Sequence, residues 1–197
     1  MSEVWLKPTV LENQWARLEP LVMEHQDGLL EALADGEAWK LWYTWVPSPD
    51  QLRIEIAKRL EHQRKEEWLP FAVIDRATGK VAGMTNFMHA DTVHKRVEIG
   101  GTWYANRYQR TPLNTACKHL LLSHAFEQLG CIAVELRTHF FNRQSRAAIE
   151  RLGAKLDGIL RNHARSRDGM LRDTCVYSIL PSEWPTVKTN LEYLLSR

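Results

Sequence analysis

The segment 108–115 contains residue types that could bind an anion. It reads Tyr-Gln-Arg-Thr-Pro-Leu-Asn-Thr and lies between a strand-like run at 96–104 and a long apolar-striped segment that ends at Gly130. A helix that begins here would offer unpaired backbone N–H groups and the positive end of its dipole to a phosphate. Pro112 suits the first turn, because its missing N–H has no intrahelical partner to lose. We expect any phosphorylated cofactor of this chain to bind at this loop.

A simpler interpretation of the same loop stays open. Most strand–loop–helix junctions bind no ligand, and Thr111 is an ordinary N-cap residue. The loop does carry additional side-chain donors around the helix start, which are Gln109, Arg110, Asn114 and Thr115.

Glu98 is a carboxylate in the middle of a predicted strand. Its neighbours Val97 and Ile99 face the opposite way, and we expect Gly100 and Gly101 to leave room for a ligand. A carboxylate in this position is costly unless it is paired or functional. Two interpretations therefore remain: an ion pair with Arg96, Lys95 or a distant arginine, or a general base.

Composition restricts the class of protein. The 197 residues, 44% hydrophobic and 25% charged, are typical of one globular domain, and the net charge of +2 does not favour nucleic acid as a partner. The chain has three cysteines without a CxxC motif, and Cys117 and Cys131, which have apolar neighbours, are expected to be buried thiols in a reducing compartment. The segment 1–9 lacks the apolar run of a secretory signal, and no segment has the length of a membrane span. We expect a cytoplasmic protein, and the eight histidines form no metal-binding pattern.

The elements that must hold these residues follow the order β-α-α-β-β-β-α-β-α-β-β-α. Antiparallel strands come first, and a later β-α-β crossover must form one parallel pair. We therefore predict a single α+β domain over 1–197, with helices on both faces of a mixed, mostly antiparallel sheet. The predicted strands are 10–19, 69–76, 80–90, 96–104, 131–138, 155–165 and 170–180, and the predicted helices are 23–34, one beginning after 48–50, 111–129, 143–152 and 182–196.

Helical spacing predicts which side chains of the segment 111–129 are buried. The expected buried face comprises Leu113, Cys117, Leu120, Leu121 and Ala125, with Lys118 and Glu127 elsewhere. In the strand 131–138, alternation predicts that Ile132, Val134 and Leu136 share one face.

The element order and several motifs resemble the GNAT acetyltransferase superfamily, in particular its RimJ/RimL-type branch, over roughly residues 10–185. The matching segments are 97–100, 109–127, 142–146, 152–154, 168–169, 172–173 and 183–184. The family's loop pattern, Gln/Arg-x-x-Gly-x-Gly/Ala, has its two small positions replaced here by Pro112 and Asn114. We expect the side chains of Asn114 and Thr115 to supply the donors that the backbone loses.

The resemblance implies that acetyl-CoA is the co-substrate, without a metal. Its pantetheine would pair with backbone near Trp103 and Tyr104, and Asn142, Ser145 and Arg146 would border the pantetheine and thiol. Simple N-capping is the alternative role of Asn142, and an ordinary helical position is that of Ser145. Glu98 would act as a water-mediated base and Ser145 as a proton donor to the thiolate. The pyrophosphate would contact Gln109, Arg110, Thr111, Leu113, Asn114 and Thr115.

The resemblance also suggests where an acceptor would bind. Trp42 and Trp45 lie in an aromatic connector where the family places its acceptor lid, although their helical spacing is equally explained by core packing, and a subunit interface is a further alternative. Arg161 and Arg165 have the same parity in a predicted strand, so they would share one cationic face, which is otherwise a solvated hairpin surface. His139 is expected near the cleft, with surface packing as the alternative.

Two functions follow. The first is an N-acetyltransferase that acts on a primary amine, either a protein N-terminus or a small molecule, by direct attack in a ternary complex. The second is a catalytically weak CoA-binding module that associates with the ribosome or RNA. The sequence leaves open the acceptor and whether the chain forms a homodimer.

Overall fold

The computed structural model describes residues 4–197. Residues Met1–Glu3, which belong to the segment predicted to lack a secretory signal, lie outside the described part. The strands are β1 (Leu11–Glu12), β2 (Ala16–Pro20), β3 (Leu69–Asp75), β4 (Val81–Asp91), β5 (Arg96–Tyr104), β6 (Ala133–His139), β7 (Lys155–Arg165) and β8 (Leu171–Ile179). The helices are α1 (Gln26–Ala34), α2 (Leu52–Arg64), α3 (Leu113–Ser123), α4 (Arg143–Leu152) and α5 (Trp184–Leu195).

All eight strands form one sheet in the order β1-β2-β3-β4-β5-β6-β8-β7. Every neighbouring pair is antiparallel except β5 and β6, which are joined by the crossover through α3. The predicted mixed sheet with one parallel pair is therefore confirmed. The single strand predicted over 10–19 is wrong: Asn13 Oδ1 accepts the N–H groups of Trp15 and Ala16 at 3.0 Å, and this turn divides it into β1 and β2.

The middle of the sheet is covered on both faces. Five consecutive residues of β3, Leu69 to Val73, are buried, whereas a strand with one solvated face would alternate between buried and exposed positions. The helices α1 and α2 pack together against β4 and β3, while α3 and α4 pack against α5. Helices cover both faces of the sheet, as predicted, and the buried apolar side chains of both helical layers and the strands belong to one hydrophobic cluster.

The helix α3 begins at Leu113, two residues later than predicted, and its last turn, His124–Gln128, is a π-helix. Lys118 was expected away from the buried stripe, and this is wrong, because only 5% of it is exposed. Since α3 packs against α5 as well as the sheet, its buried surface is wider than one apolar stripe.

The strand β6 begins at Ala133, so Ile132 precedes it and is exposed, contrary to the predicted shared face with Val134 and Leu136. Within residues 4–197, no helix has the length and apolar character to cross a membrane.

Candidate active site

The central feature of the site is a cleft between the two parallel strands. The strands β5 and β6 pair only from Arg96 to Glu98 and from Ala133 to Glu135. Beyond these residues β5 continues along β4 as far as Tyr104, while β6 continues along β8 as far as His139. In the described chain, the edge of β5 from Ile99 onward therefore has no strand partner on the β6 side. Its backbone groups are available to an extended ligand.

A bulge in β5 follows directly after the strands separate. Asn86 of β4 is opposite Gly100, but Met84 is opposite Trp103, so β5 has one extra residue here. Gly101 has φ +57°, a left-handed conformation, and an added Cβ would collide with the amide nitrogen of Asn86. The space expected for a ligand at the two glycines is thus partly filled by protein: at Gly100 an added Cβ would lie 2.7 Å from Glu98 Oε1 and 2.8 Å from Met88 Sδ.

Glu98 lies at the root of the cleft and is 7% exposed. Its Oε2 is 2.9 Å from His89 Nδ1 and 3.5 Å from Arg137 Nε. The hydrogen bond with Glu98 raises the pKa of His89 above its ordinary value, against the opposing effect of burial. Of the predicted ion pairs, the one with a distant arginine is present, while Arg96 instead pairs with Glu135. His89, nine residues from Glu98 and brought to it by the pairing of β4 with β5, was not predicted.

The helix start after β5 has the geometry expected of an anion site. The first backbone bond into α3 runs from Ala116 N–H to Pro112 O at 2.9 Å, so the N–H groups of Asn114 and Thr115 precede it. The predicted N-cap role of Thr111 is wrong, because Pro112 occupies the N-cap position of α3. The Thr111 hydroxyl instead donates to the carbonyl of Tyr108 at 2.7 Å and accepts the N–H of Leu113 at 3.3 Å. Arg110 is exposed and has φ +60°, a strained conformation for this residue type.

The start of α4 lies beside this loop. Gln144 Nε2 donates to Gln109 Oε1 at 3.3 Å, which brings the N-terminal ends of α3 and α4 together. Asn142 Oδ1 accepts the N–H of Ser145 at 3.0 Å, so Asn142 has the N-capping role that was its alternative interpretation. The Ser145 hydroxyl has no hydrogen-bond partner within residues 4–197. Its half-buried position leaves it available to a ligand.

Arg146 is held within the fold. Its Nε donates to Tyr177 Oη at 3.0 Å, and its guanidinium lies 5.1 Å from the centre of the Phe140 ring. These contacts join α4 to β8 and to the segment after β6. Trp103 is buried, and its Nε1 has no partner within the described residues.

The aromatic connector is neither helical at Trp42 and Trp45 nor part of the core. Each of these tryptophans is 48% exposed, so the core-packing interpretation is wrong. The Trp42 ring centre is 5.0 Å from that of His139 and 5.9 Å from that of Phe141. Trp45 lies 5.9 Å from the guanidinium of Arg167, in the turn between β7 and β8. We call Trp42, Trp45, His139 and Phe141 the aromatic collar.

His139 is buried rather than packed on the surface. Its Nδ1 accepts the backbone N–H of Phe141 at 3.0 Å, which requires an unprotonated Nδ1. Burial lowers the pKa of His139 below its ordinary value, and the charge of Arg172 acts in the same direction. The neutral ring with its proton on Nε2 therefore fits this environment.

The cationic face predicted from Arg161 and Arg165 is interrupted. The register of β7 shifts between Leu160 and Ala164, and Asn162 has φ +49°, so parity does not determine the face of these side chains. Arg161 is also paired with Asp173 at 2.7 Å. Arg165 donates to the carbonyl of Gly169 at 3.2 Å.

The cleft thus combines a free strand edge, free N–H groups at a helix start and a buried carboxylate. Such a site can hold an extended, phosphate-bearing acyl carrier and receive a proton from an attacking group. Among residues 4–197, no three His, Cys, Asp or Glu side chains converge as metal ligands.

Comparison with known proteins agrees with this architecture. The family model described as "Acetyltransferase (GNAT) domain" matches residues 16–155. The curated relative "Putative ribosomal N-acetyltransferase YdaF" of Bacillus subtilis (strain 168) is 33% identical over 106 residues, which are 54% of this chain and 57% of that protein. The matched region thus spans little more than half of that relative's length.

Solved structures share the fold over nearly the whole chain. A GCN5-related N-acetyltransferase from Brucella melitensis is 34% identical with a TM-score of 0.85, covering 96% of this chain and 86% of that one. Mycobacterium smegmatis RimJ in complex with CoA-disulfide is 19% identical with a TM-score of 0.80, covering 95% of each chain, and shows the fold alone. The family predicted from the sequence is confirmed: the chain belongs to the GNAT acetyltransferase family.

Proposed function

We propose that this protein transfers the acetyl group of acetyl-CoA to the α-amine of a protein or peptide. Membership of the GNAT family supports acetyl transfer in general. The observation that carries the proposal is the separation of β5 from β6 directly after Glu98, beside the start of α3. This arrangement supports the proposal, because an acyl-carrier channel, an anion site and a proton acceptor would then lie within one cleft.

Acetyl-CoA would lie along the free edge of β5. Backbone groups near Trp103 and Tyr104 would pair with its pantetheine, because the β4 side of these residues is already occupied. Asn142, Ser145 and Arg146 would border the thiol end. The pyrophosphate would meet the loop and first turn of α3, formed by Gln109, Arg110, Thr111, Leu113, Asn114 and Thr115.

The transfer would proceed by direct attack in a ternary complex. The amine nitrogen bonds to the thioester carbon, the C–S bond breaks, and one amine proton passes through water to Glu98. The thiolate takes a proton from the Ser145 hydroxyl, which recovers one from solvent. His89 and Arg137 would keep the Glu98 carboxylate oriented toward the cleft through their contacts of 2.9 Å and 3.5 Å.

The acceptor would enter past the aromatic collar. Exposed Trp42, Trp45 and Phe141 offer flat apolar surfaces, which favour a peptide whose first residues are apolar over a hydrophilic polyamine. The name of the Bacillus subtilis relative is consistent with a protein acceptor. Arg161 and Arg165 remain candidates for contacts with acidic groups, with less support because Arg161 is already paired.

An acceptor panel tests the proposal. Acetyl transfer from labelled acetyl-CoA would be measured for peptides with free N-termini, the same peptides with blocked N-termini, and polyamines. We expect turnover only with free N-termini, greatest for apolar first residues, and a loss of that preference in Trp42→Ala. CoA binding without turnover on any amine would instead support the catalytically weak module.

A further inference from the structure

The bulge of β5 is enclosed by buried charged side chains from both helical layers. Arg59 of α2 is 2% exposed and Lys118 of α3 is 5% exposed. Charged side chains are almost never buried to this degree unless paired, because desolvation is costly. Two such side chains next to one irregularity of the sheet require an explanation.

Arg59 holds the bulge from the α2 side. Its Nη1 donates to the carbonyl of Gly101 at 3.2 Å and to Asn86 Oδ1 at 3.0 Å. Asn86 in turn donates to the carbonyl of Gly100 at 2.9 Å. The guanidinium charge is balanced by Glu55, whose Oε1 is 2.8 Å from Arg59 Nε. Both glycine carbonyls are therefore fixed by one buried cation and its amide partner.

Lys118 holds the bulge from the opposite side. Its Nζ donates to Thr102 Oγ1 at 3.0 Å, and that hydroxyl lies 2.8 Å from Thr85 Oγ1. Thr85 and Asn86 are consecutive in β4, so their side chains project to opposite faces of the sheet. No carboxylate of the described chain pairs with Lys118, and burial lowers its pKa to about 8. An apolar side chain of similar length would avoid this desolvation cost.

The residues held in this way are those next to the proposed acetyl position. Gly100, Gly101 and Thr102 lie on the free edge of β5, and a Cβ added at Gly100 would lie 2.7 Å from Glu98 Oε1. We propose that Arg59 and Lys118 are positioning residues that set this backbone, and through it the thioester, relative to Glu98. The inference rests on the proposed function. Misplacing reacting groups by about 1 Å can cost on the order of 100-fold in rate, so such support would have a large effect.

The test is Lys118→Met, which replaces the side chain with an apolar one of similar length and removes its amine. Three quantities would be measured: thermal stability, CoA affinity, and kcat with the best peptide acceptor. We expect stability to be equal or higher and the Kd for CoA to change less than about twofold, because the α3 start is untouched. We expect kcat to fall at least about tenfold. The control is Lys58→Met on α2, an exposed lysine whose replacement should change none of the three.

Hydrogen–deuterium exchange provides a readout that needs no acceptor. In the CoA-bound Lys118→Met protein, we expect faster exchange confined to residues 99–104. Arg59→Lys retains a cation for Glu55 but cannot hold Asn86 and Gly101 together. We therefore expect its kcat to fall as well, while its Kd for CoA stays close to the wild-type value. The proposal is wrong if Lys118→Met has wild-type kcat and exchange, or if stability, CoA affinity and kcat all fall together. A wild-type protein that acetylates no amine contradicts the proposed function instead, and exchange at 99–104 then decides this inference alone.

Discussion

At the scale of single residues, the chemistry depends on how Glu98 is held. Its carboxylate is buried, yet it contacts His89, whose side chain is 59% exposed, and Arg137. The contacts with His89 and Arg137 therefore provide polar partners for a carboxylate inside the sheet.

Replacing Glu98 with Gln should separate binding from chemistry. The amide retains the shape of the side chain but cannot accept the amine proton, so we expect kcat to fall on the order of 100-fold or more. Titration with CoA should give the same affinity as the wild type, since the Glu98 side chain contacts His89 and Arg137 rather than the loop at 109–115. Glu135→Gln, in the adjacent strand, is the matched control and should lower kcat less. Equal turnover of Glu98→Gln and wild type would assign Glu98 a purely structural role.

The buried amine of Lys118 should make stability depend on pH. Burial lowers its pKa from 10.5 to about 8, so protonation favours the unfolded chain. The destabilisation is complete below pH 8 and is relieved as pH rises from 8 toward 10.5, where the unfolded chain also loses the proton. This difference between the unfolded and folded pKa values of Lys118 corresponds to about 3 kcal/mol of unfolding free energy. The free energies of unfolding of the wild type and of Lys118→Met would be measured with denaturant between pH 7 and 9.5. The difference between the two proteins should become smaller as pH rises, and a constant difference would contradict this prediction.

At the scale of elements, sequence periodicity predicted correctly those helix and strand bounds that depend on local sequence alone. The helix α4, with Asn142 as its cap and Gly153 at its end, was predicted correctly because cap and stop signals are local. Lys118 was misplaced because its hydrogen bond with Thr102 of β5 cannot be seen in the periodicity of α3 alone. Trp42 and Trp45 were assigned helical spacing, but residues 41–48 form neither helix nor strand.

The candidate site was predicted only where one segment carries it. Glu98, the loop at 109–115 and Asn142 could be found from residue type and position. Arg59, Asn86 and His89 could not, because their roles depend on strand register and on which helix covers which strand. One signal for Arg59 was available in the sequence. It follows Leu52 and Ile56 at helical spacing and therefore falls on the apolar side of α2.

The start of α3 gives a prediction for a whole element. Arg110 has φ +60°, which is strained for arginine, so Arg110→Gly should stabilise the apo protein by up to about 1 kcal/mol. Loss of the guanidinium should at the same time weaken CoA binding severalfold. Arg110→Asn is the control, since asparagine tolerates this conformation but carries no charge. Calorimetric titration with CoA should show weaker binding in both variants, and unchanged affinity would exclude Arg110 from the phosphate site.

At the scale of the molecule, the sheet works as two halves that share three residue pairs. One half runs from β1 to β5 and the other comprises β6, β8 and β7. In the proposed function, the loop at 109–115 and α4 would border one side of the opening, and the aromatic collar would border the path of the acceptor. Both substrates would then meet in one cleft without an intermediate on the protein.

Steady-state kinetics should reflect this arrangement. The three cysteines are buried, and burial raises the pKa of Cys117 and Cys131 to about 12, so no reactive thiolate is available to carry the acetyl group. We expect initial-rate plots at varied acetyl-CoA and peptide concentrations to intersect, as direct transfer in a ternary complex requires. Parallel lines, or acetylated protein trapped without acceptor, would contradict direct transfer.

A structure of the protein crystallised with CoA tests the central claim most directly. We predict pantetheine in the opening between β5 and β6, hydrogen-bonded to backbone near Trp103 and Tyr104. The pyrophosphate should lie within hydrogen-bond distance of the N–H groups of Asn114 and Thr115. CoA bound elsewhere, with this opening closed or the start of α3 unliganded, would contradict the account.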